Sequence, residues 1–455
     1  MNLTVFPGTS LQGTVHSQGQ YALPGDKSLS HRAGILAALA QGESVVDNFQ
    51  VSGVTRAMLE ALTLLGISWE LAGHQLRVHG KGLHGFQESS QAIHCGNSAT
   101  TIRLLAGALA ASGTPAILDG SLGLRRRPME RIVAPLRQMG VDIRSTDGCA
   151  PLVLGRSSMP LKALDYTLPV ASAQVKTCLL LAALAADGIT ILREPGPSRD
   201  HTERMLRSMG IIIEIAREQT MGDDGSEKDQ HLTILEPPQP GTSLAPLQIQ
   251  LPGDPSAAAF LIVAALITPG SHLILDGVLL NSTRTGLLDV LQSMGAKLEW
   301  EIAGEPSGEP VGKITVYYSP LKSTQVSGTL VVRMIDEFPA FAVAAACAQG
   351  RTVVRDASEL RTKESDRISA LAGELRKLGI RIDETEDGFE IEGGGQFHGA
   401  VVQPHGDHRL AMALAVAGLA AENPLTVQDS QIIEESFPAF SAILQRLGGQ
   451  LESEV

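Results

Sequence analysis

Large rings are scarce in this chain: aromatic residues make up 4% of its 455 positions, with 10 phenylalanines, 4 tyrosines and 2 tryptophans. A core without them must be filled by closely approaching backbone, which suits the alanine, leucine and glycine that dominate instead. Cysteine is equally sparse, and Cys95, Cys149, Cys178 and Cys347 lack the spacing of a metal site. No basic n-region with a secretory h-region precedes them, so reduced thiols in a soluble, unprocessed, cytoplasmic protein are expected. Apolar runs are broken by glycine, proline or charge before they reach membrane-spanning length. Positive charge is also in deficit. A formal net charge of -13 argues against nucleic acid as a partner, because phosphate backbones require a broad basic surface. Cations that serve small anions must therefore be concentrated locally.

What is present is repetition. At 455 residues the chain exceeds one ordinary core and fits two large domains or a repeat array. The pattern L-x-x-[LM]-G occurs six times, as "LTLLG", "LRQMG", "LRSMG", "LQSMG", "LRKLG" and "LQRLG", ending at Gly66, Gly140, Gly210, Gly295, Gly379 and Gly448. The period of roughly 70 to 85 residues is far longer than a solenoid repeat. Each mark reads as an amphipathic helix closed by a glycine C-cap, with a strand straight after. "VDIRS" has the alternation of a half-buried strand, and "IRIDETEDGFEI" that of a hairpin. Upstream in each unit lies a nearly uncharged helix, such as "LLAGALAAS" or "FAVAAAC", expected to be buried on all faces. Six units divide into three plus three about the proline-rich stretch 235–246. The polar segments 217–231 and 303–312 read as exposed loops or hairpin tips.

A pure scaffold would begin its buried helices alike, and this chain does not. "LPGDKSLSHR" (23–32) and "LPGDPSAAAF" (251–260) share a turn, yet only the first carries Lys27, His31 and Arg32. Further polar clusters precede buried helices in "CGNSATTIR", "VASAQVK", "MIDEFP" and "PHGDHR", and two more lie on connections, "LRRRPMER" and "LRTKESDR". Helix amino termini attract anions, and capping alone would account for Ser28, Asn97, Ser172 and Asp336. Capping does not account for Lys27 and Arg32, which oppose the helix dipole unless an anion compensates them. Arg125, Arg126, Arg127, Lys363, Arg367 and Arg409 extend the same excess, in forms suited to phosphate and carboxylate. Asp336, Glu337 and Glu364 sit among these cations as acid–base candidates, while His31 and His408 read first as structural histidines. A Walker phosphate loop is excluded, because "PGDKS" lacks the G-x-x-x-x-G-K-[ST] frame.

Seven of these motifs, in the same order between about Leu23 and Phe440, resemble the 5-enolpyruvylshikimate-3-phosphate synthase family: "LPGDKSLSHR", "GNSATTIR", "RRRPMERI", "VASAQVK", "DEFPAFAVAAA", "TKESDR" and "GDHRLAMA". The resemblance implies an α/β fold, a two-domain inside-out α/β barrel built from six repeats, three per domain, with buried parallel helices surrounded by sheets. It implies an amino-terminal domain at 21–240 and a carboxy-terminal domain of 1–20 plus 241–455. The family transfers the enolpyruvyl group of phosphoenolpyruvate to the 5-hydroxyl of shikimate 3-phosphate and releases phosphate, without metal or organic cofactor. Carried over motif by motif, Lys27, Ser28, Arg32, Ser172, Ala173, Gln174, Arg199, Asp336 and Lys363 look like shikimate 3-phosphate contacts. Lys27, Asn97, Ala99, Arg127, Gln174, Arg367 and Arg409 look like phosphoenolpyruvate contacts. Asp336 is the expected base, Glu364 the expected proton donor, and Lys27 the stabiliser of the tetrahedral adduct. Small-molecule substrates and a monomer are expected as well.

The sequence also departs from the pattern. Ala99 stands where many members, including inhibitor-sensitive ones, have glycine, which implies a glyphosate-insensitive type. Arg199 in "PSRDH" replaces a tyrosine-containing turn of another branch, and Glu435 stands where some members carry lysine, so that role is not transferred. The alternatives are the sister transferase acting on UDP-N-acetylglucosamine, which usually has a cysteine where this chain has Leu122, and a non-catalytic repeat protein that binds phosphorylated metabolites.

Overall fold

The computed structural model describes residues 1–19, 21–221 and 227–454. Each of the six L-x-x-[LM]-G marks closes a helix, and the glycines take positive φ, from 79° at Gly66 to 111° at Gly448. At the first mark the Ile67 N–H donates to the Leu62 carbonyl at 3.0 Å and the Gly66 N–H to Thr63 at 2.9 Å. This is a Schellman-type end, and it hands the chain to the strand Ser68–Ala72.

The nearly uncharged runs form the helices Lys27–Leu39, Ala99–Ser112, Ala173–Ala183, Pro255–Ile267, Phe338–Cys347 and His408–Leu419, buried along nearly their whole length. Small residues allow close approach between them. At Gly107 an added Cβ would overlap the Cys178 carbonyl of the helix Ala173–Ala183, so backbone meets backbone there. With so few rings, this proximity recovers the dispersion energy that aromatic side chains would otherwise supply.

Among the described residues, six four-stranded sheets accompany these helices, and all have one topology: an edge strand parallel to its neighbour, then two antiparallel pairings. In one example Ile93–His94 runs parallel to Ala116–Asp119, which pairs antiparallel with Cys149–Leu154 and that with Ile143–Thr146. The sequence hairpin at 381–392 forms as Arg381–Thr385 against Gly388–Gly393. The segment 217–231 is largely strand rather than loop, since Ile213–Met221 pairs with Glu227–Leu235; its middle, 222–226, lies outside the described residues.

Two compact units result. One comprises Met1–Asp26, Pro252–Glu305 and Pro310–Val455, and the other Lys27–Leu251 with Pro306–Glu309. Each holds three of the sheets and three of the buried helices. The second unit runs to Leu251 because Gln248–Gln250 still supplies the parallel edge strand beside Gln41–Asp47. The proline-rich stretch 235–246 therefore lies inside that unit. In the first unit Gln12–His16 is the parallel edge of the sheet that contains His272–Leu279.

Candidate active site

In the unit Lys27–Leu251 the polar clusters converge at the starts of three buried helices. Lys27 opens the first, and its carbonyl accepts from His31 Nδ1 at 2.9 Å. A carbonyl can only accept, so Nδ1 carries the proton and Nε2 is left to accept from the Ser98 hydroxyl at 3.3 Å. Burial, reinforced by the charges of Lys27 and Arg32, lowers the His31 pKa to about 4, so the ring is neutral at physiological pH. Arg32 is buried and donates to Thr202 Oγ1 at 2.9 Å, Thr177 Oγ1 at 3.1 Å, the Ser28 carbonyl at 3.0 Å and the Ala173 carbonyl at 3.5 Å. Arg199 donates to the Ser28 hydroxyl at 2.9 Å. Ser172 caps the helix Ala173–Ala183 without using its hydroxyl for the cap.

Gln174 donates to Thr100 Oγ1 at 2.9 Å and accepts from Arg103 at 2.6 Å, while Arg103 also reaches the Pro128 carbonyl at 2.8 Å beside buried Arg127. Ser98, not Asn97, caps the helix Ala99–Ser112, its hydroxyl accepting the Thr101 N–H at 3.0 Å. Asn97 instead accepts from Ser121 at 2.8 Å, on the loop that leads to the arginine run. Of that run Arg125 is half-exposed and paired with Asp119 through two hydrogen bonds. Lys27, Ser28, Arg32, Ala173 and Arg199 thus form one connected cluster, and Gln174, Arg103 and the Arg127 segment another.

The sequence did not disclose what holds these clusters. Lys176 Nζ lies 2.7 Å from both Glu194 and Glu203, all three buried. Burial opposes the ammonium charge, but the two carboxylates more than offset it and raise the pKa. The triad ties the helix start at Ala173 to that at His201, where Thr202 meets Arg32. Asp200, His201 and Glu309 are the group among the described residues whose ligand atoms approach within 4.8 Å, but Arg204 already donates to Asp200 at 2.8 Å and lies 3.9 Å from Glu309.

In the other unit Asp336 is flanked by two guanidinium groups, Arg367 at 3.6 Å and Arg409 at 3.8 Å, and Arg409 also donates to the Asp336 carbonyl at 3.2 Å. The cap of the helix Phe338–Cys347 is Glu337 rather than Asp336, which leaves the Asp336 side chain 17% exposed. Arg367 donates to Glu364 at 2.6 Å and to Asp407 at 2.7 Å; Asp407 also caps its helix through the Arg409 N–H at 2.9 Å. Burial lowers the Lys363 pKa, and Arg367 adds to this while Asp336 and Glu364 oppose it. His408 is buried with Nδ1 3.9 Å from Glu435. Asp336, Lys363, Glu364, Arg367 and Arg409 therefore belong to one electrostatic cluster.

Helix starts that gather cations and carboxylates, on elements otherwise buried, define an enzyme of small anionic metabolites. Comparison with known proteins makes the class particular. The profile of EPSP synthase (3-phosphoshikimate 1-carboxyvinyltransferase) matches residues 11–444. A 3-phosphoshikimate 1-carboxyvinyltransferase of Geobacter sulfurreducens is 46% identical over 94% of this chain and 96% of its own. Another, from Acidithiobacillus ferrooxidans, is 45% identical over 98% of each. Among solved structures, EPSP synthase from Acinetobacter baumannii superimposes with a TM-score of 0.82 at 39% identity, covering 99% of this chain and all of that one. The chain belongs to the EPSP synthase family. The enolpyruvyl transferase NikO from Streptomyces tendae shares the fold, with a TM-score of 0.76 at 19% identity over 99% of this chain and 98% of its own.

Proposed function

We infer that the chain transfers the enolpyruvyl group of phosphoenolpyruvate to the 5-hydroxyl of shikimate 3-phosphate. The oxygen adds to C2 of phosphoenolpyruvate as C3 gains a proton; the tetrahedral adduct then loses phosphate and that C3 proton. The observation that carries this reading is Asp336 held between Arg367 and Arg409, with Glu364 on Arg367. A protein that only bound anions would gain nothing from carboxylates set among its cations.

The unit Lys27–Leu251 is assigned mainly to shikimate 3-phosphate, through Lys27, Ser28, Arg32, Ser172, Ala173, Gln174 and Arg199. The other unit carries the catalytic carboxylates, with Asp336 and Lys363 directed to the ring hydroxyls. Lys27, Asn97, Ala99, Arg127, Gln174, Arg367 and Arg409 are assigned to phosphoenolpyruvate. Asp336 takes the hydroxyl proton, Glu364 delivers the proton to C3, and Lys27 offsets charge on the adduct. The cations bring two polyanions together that would otherwise repel, and fix their orientation. The enzyme acts as a cytoplasmic monomer without metal or organic cofactor. No helix among the described residues is long and apolar enough to cross a membrane.

Phosphate release from the two substrates tests the activity, with UDP-N-acetylglucosamine as the control acceptor. Asp336→Ala is expected to keep shikimate 3-phosphate binding and lose about 10²- to 10⁴-fold in turnover; near-normal turnover removes Asp336 from the base role. Ala99, 3% exposed at the first position of its helix, supports a glyphosate-insensitive enzyme, because its methyl crowds the larger analogue more than the compact substrate. Ala99→Gly is expected to tighten glyphosate inhibition, and an unchanged inhibition constant would refute this.

A further inference from the structure

The two copies of LPGD lie where the chain passes between the units, at Asp26–Lys27 and Leu251–Pro252. They pair antiparallel at Gly25 and Gly253, and the exchange is reciprocal: the Asp26 N–H donates to the Pro252 carbonyl and the Asp254 N–H to the Pro24 carbonyl, each at 2.9 Å. Two aspartates are thereby brought into the interior side by side. Arg284, with 1% of its side chain exposed, holds both, donating to Asp26 at 2.8 Å and to Asp254 at 3.3 Å. Its second nitrogen also donates to Ser256 at 3.0 Å, and the Ser256 hydroxyl donates to Glu337 in a short hydrogen bond. One guanidinium thus stands among three buried carboxylates. Burial opposes its charge, yet Asp26 and Asp254, with Glu337 and Asp336 behind them, keep it protonated.

The ends of this network have a common property. Asp26 is followed in the chain by Lys27, and Glu337 is preceded by Asp336. We propose that Arg284 is a positioning residue for the enolpyruvyl transfer, fixing the main chain that presents Lys27 and the main chain that presents Asp336. The proposal rests on the roles assigned above to those two residues. A planar fork is the group suited to this, because it meets two carboxylates and a hydroxyl in fixed directions, whereas an ammonium is a point charge.

The test is steady-state kinetics of Arg284→Lys and Arg284→Met, with folding followed by circular dichroism and thermal melting. Displacing a catalytic group by about an ångström costs on the order of 10²-fold, so the expected result is a kcat lowered about 10- to 100-fold. KM for both substrates is expected to stay within about threefold, because only Lys27 and Asp336 among the residues assigned to binding follow the displaced main chain and the others stay in place. A folded variant with kcat within about threefold of the parent overturns the proposal, and so does a loss that follows only the unfolded fraction. Where the Arg284 variants do not fold, the near-isosteric Asp26→Asn carries the test: Arg284 keeps Asp254 and Ser256, and the same split is expected at about 3- to 10-fold. Unchanged kcat there overturns it equally. Lys27→Met and Asp336→Asn are run alongside. If they abolish turnover while the Arg284 variants do not, the positioning role fails alone; if they stay active, the assignment of the site itself fails.

Discussion

His31 joins the carbonyl of Lys27 to the cap of the neighbouring helix, and it does so only while neutral. Its pKa is lowered from 6.5 in the unfolded chain to about 4 by burial. The folded state therefore binds this proton less readily than the unfolded state. Stability from this residue is complete above pH 6.5 and is lost as pH falls toward 4. The loss is on the order of 1 kcal/mol by pH 5.5 and a few kcal/mol below pH 4. Denaturant midpoints at pH 7.5 and 5.5 check it: His31→Gln, though less stable overall, is expected to show a shallower pH dependence than the parent. Parallel slopes would remove His31 as the source. A second lesson at this scale concerns the caps. The sequence pointed to Asn97 and Asp336 as caps, one residue before the observed positions. Ser98 and Glu337 take the cap positions, which releases Asn97 and Asp336 for other contacts.

At the scale of the element, glycine plays two separable roles. Gly210 closes a helix at φ 91° with open space where a Cβ would go, so Gly210→Ala meets only the strain of the left-handed conformation, about 1 kcal/mol. Gly107 lies in a helix interior against the Cys178 carbonyl, so Gly107→Ala must push two buried helices apart, at about 1–3 kcal/mol or more. Urea denaturation of the two variants is expected to rank Gly107→Ala as the more damaging, and the reverse order would show that those helices yield freely. The helices, their glycine ends and the strands after them were legible in the sequence because each rests on local pattern. The same holds for the cationic helix starts. Lys176 with Glu194 and Glu203, and Arg284 with Asp26 and Asp254, were not legible: each looks like an ordinary surface charge until pairing across 18 to 258 residues puts it inside. The segment 217–231, read as a loop or a hairpin tip, is the hairpin end, with its strands running on through 217–221 and 227–231.

For the whole molecule, the first strand carries unusual weight. Asn2–Phe6 is an interior strand of its sheet, pairing with Leu425–Val427 on one side and Gln450–Glu454 on the other. Removing residues 1–6 is expected to strip Gln450–Glu454 of its strand partner, to leave Leu425–Val427 paired with Val401–Val402 alone, and to expose the carboxy-terminal portion to limited proteolysis before the segment 27–251 is cut. Equal resistance of both would contradict this account. The placement also sets an order of events during synthesis. Asn2–Phe6 is enclosed by strands made more than 400 residues later, so its own sheet cannot close until Gln450–Glu454 emerges, although the other two sheets of its unit are complete by Gly393. Lys27–Leu251, by contrast, has all three of its sheets encoded by position 251. At about 5–20 residues per second the amino-terminal strand waits tens of seconds for its neighbours, a period in which the nascent chain must be kept from pairing elsewhere.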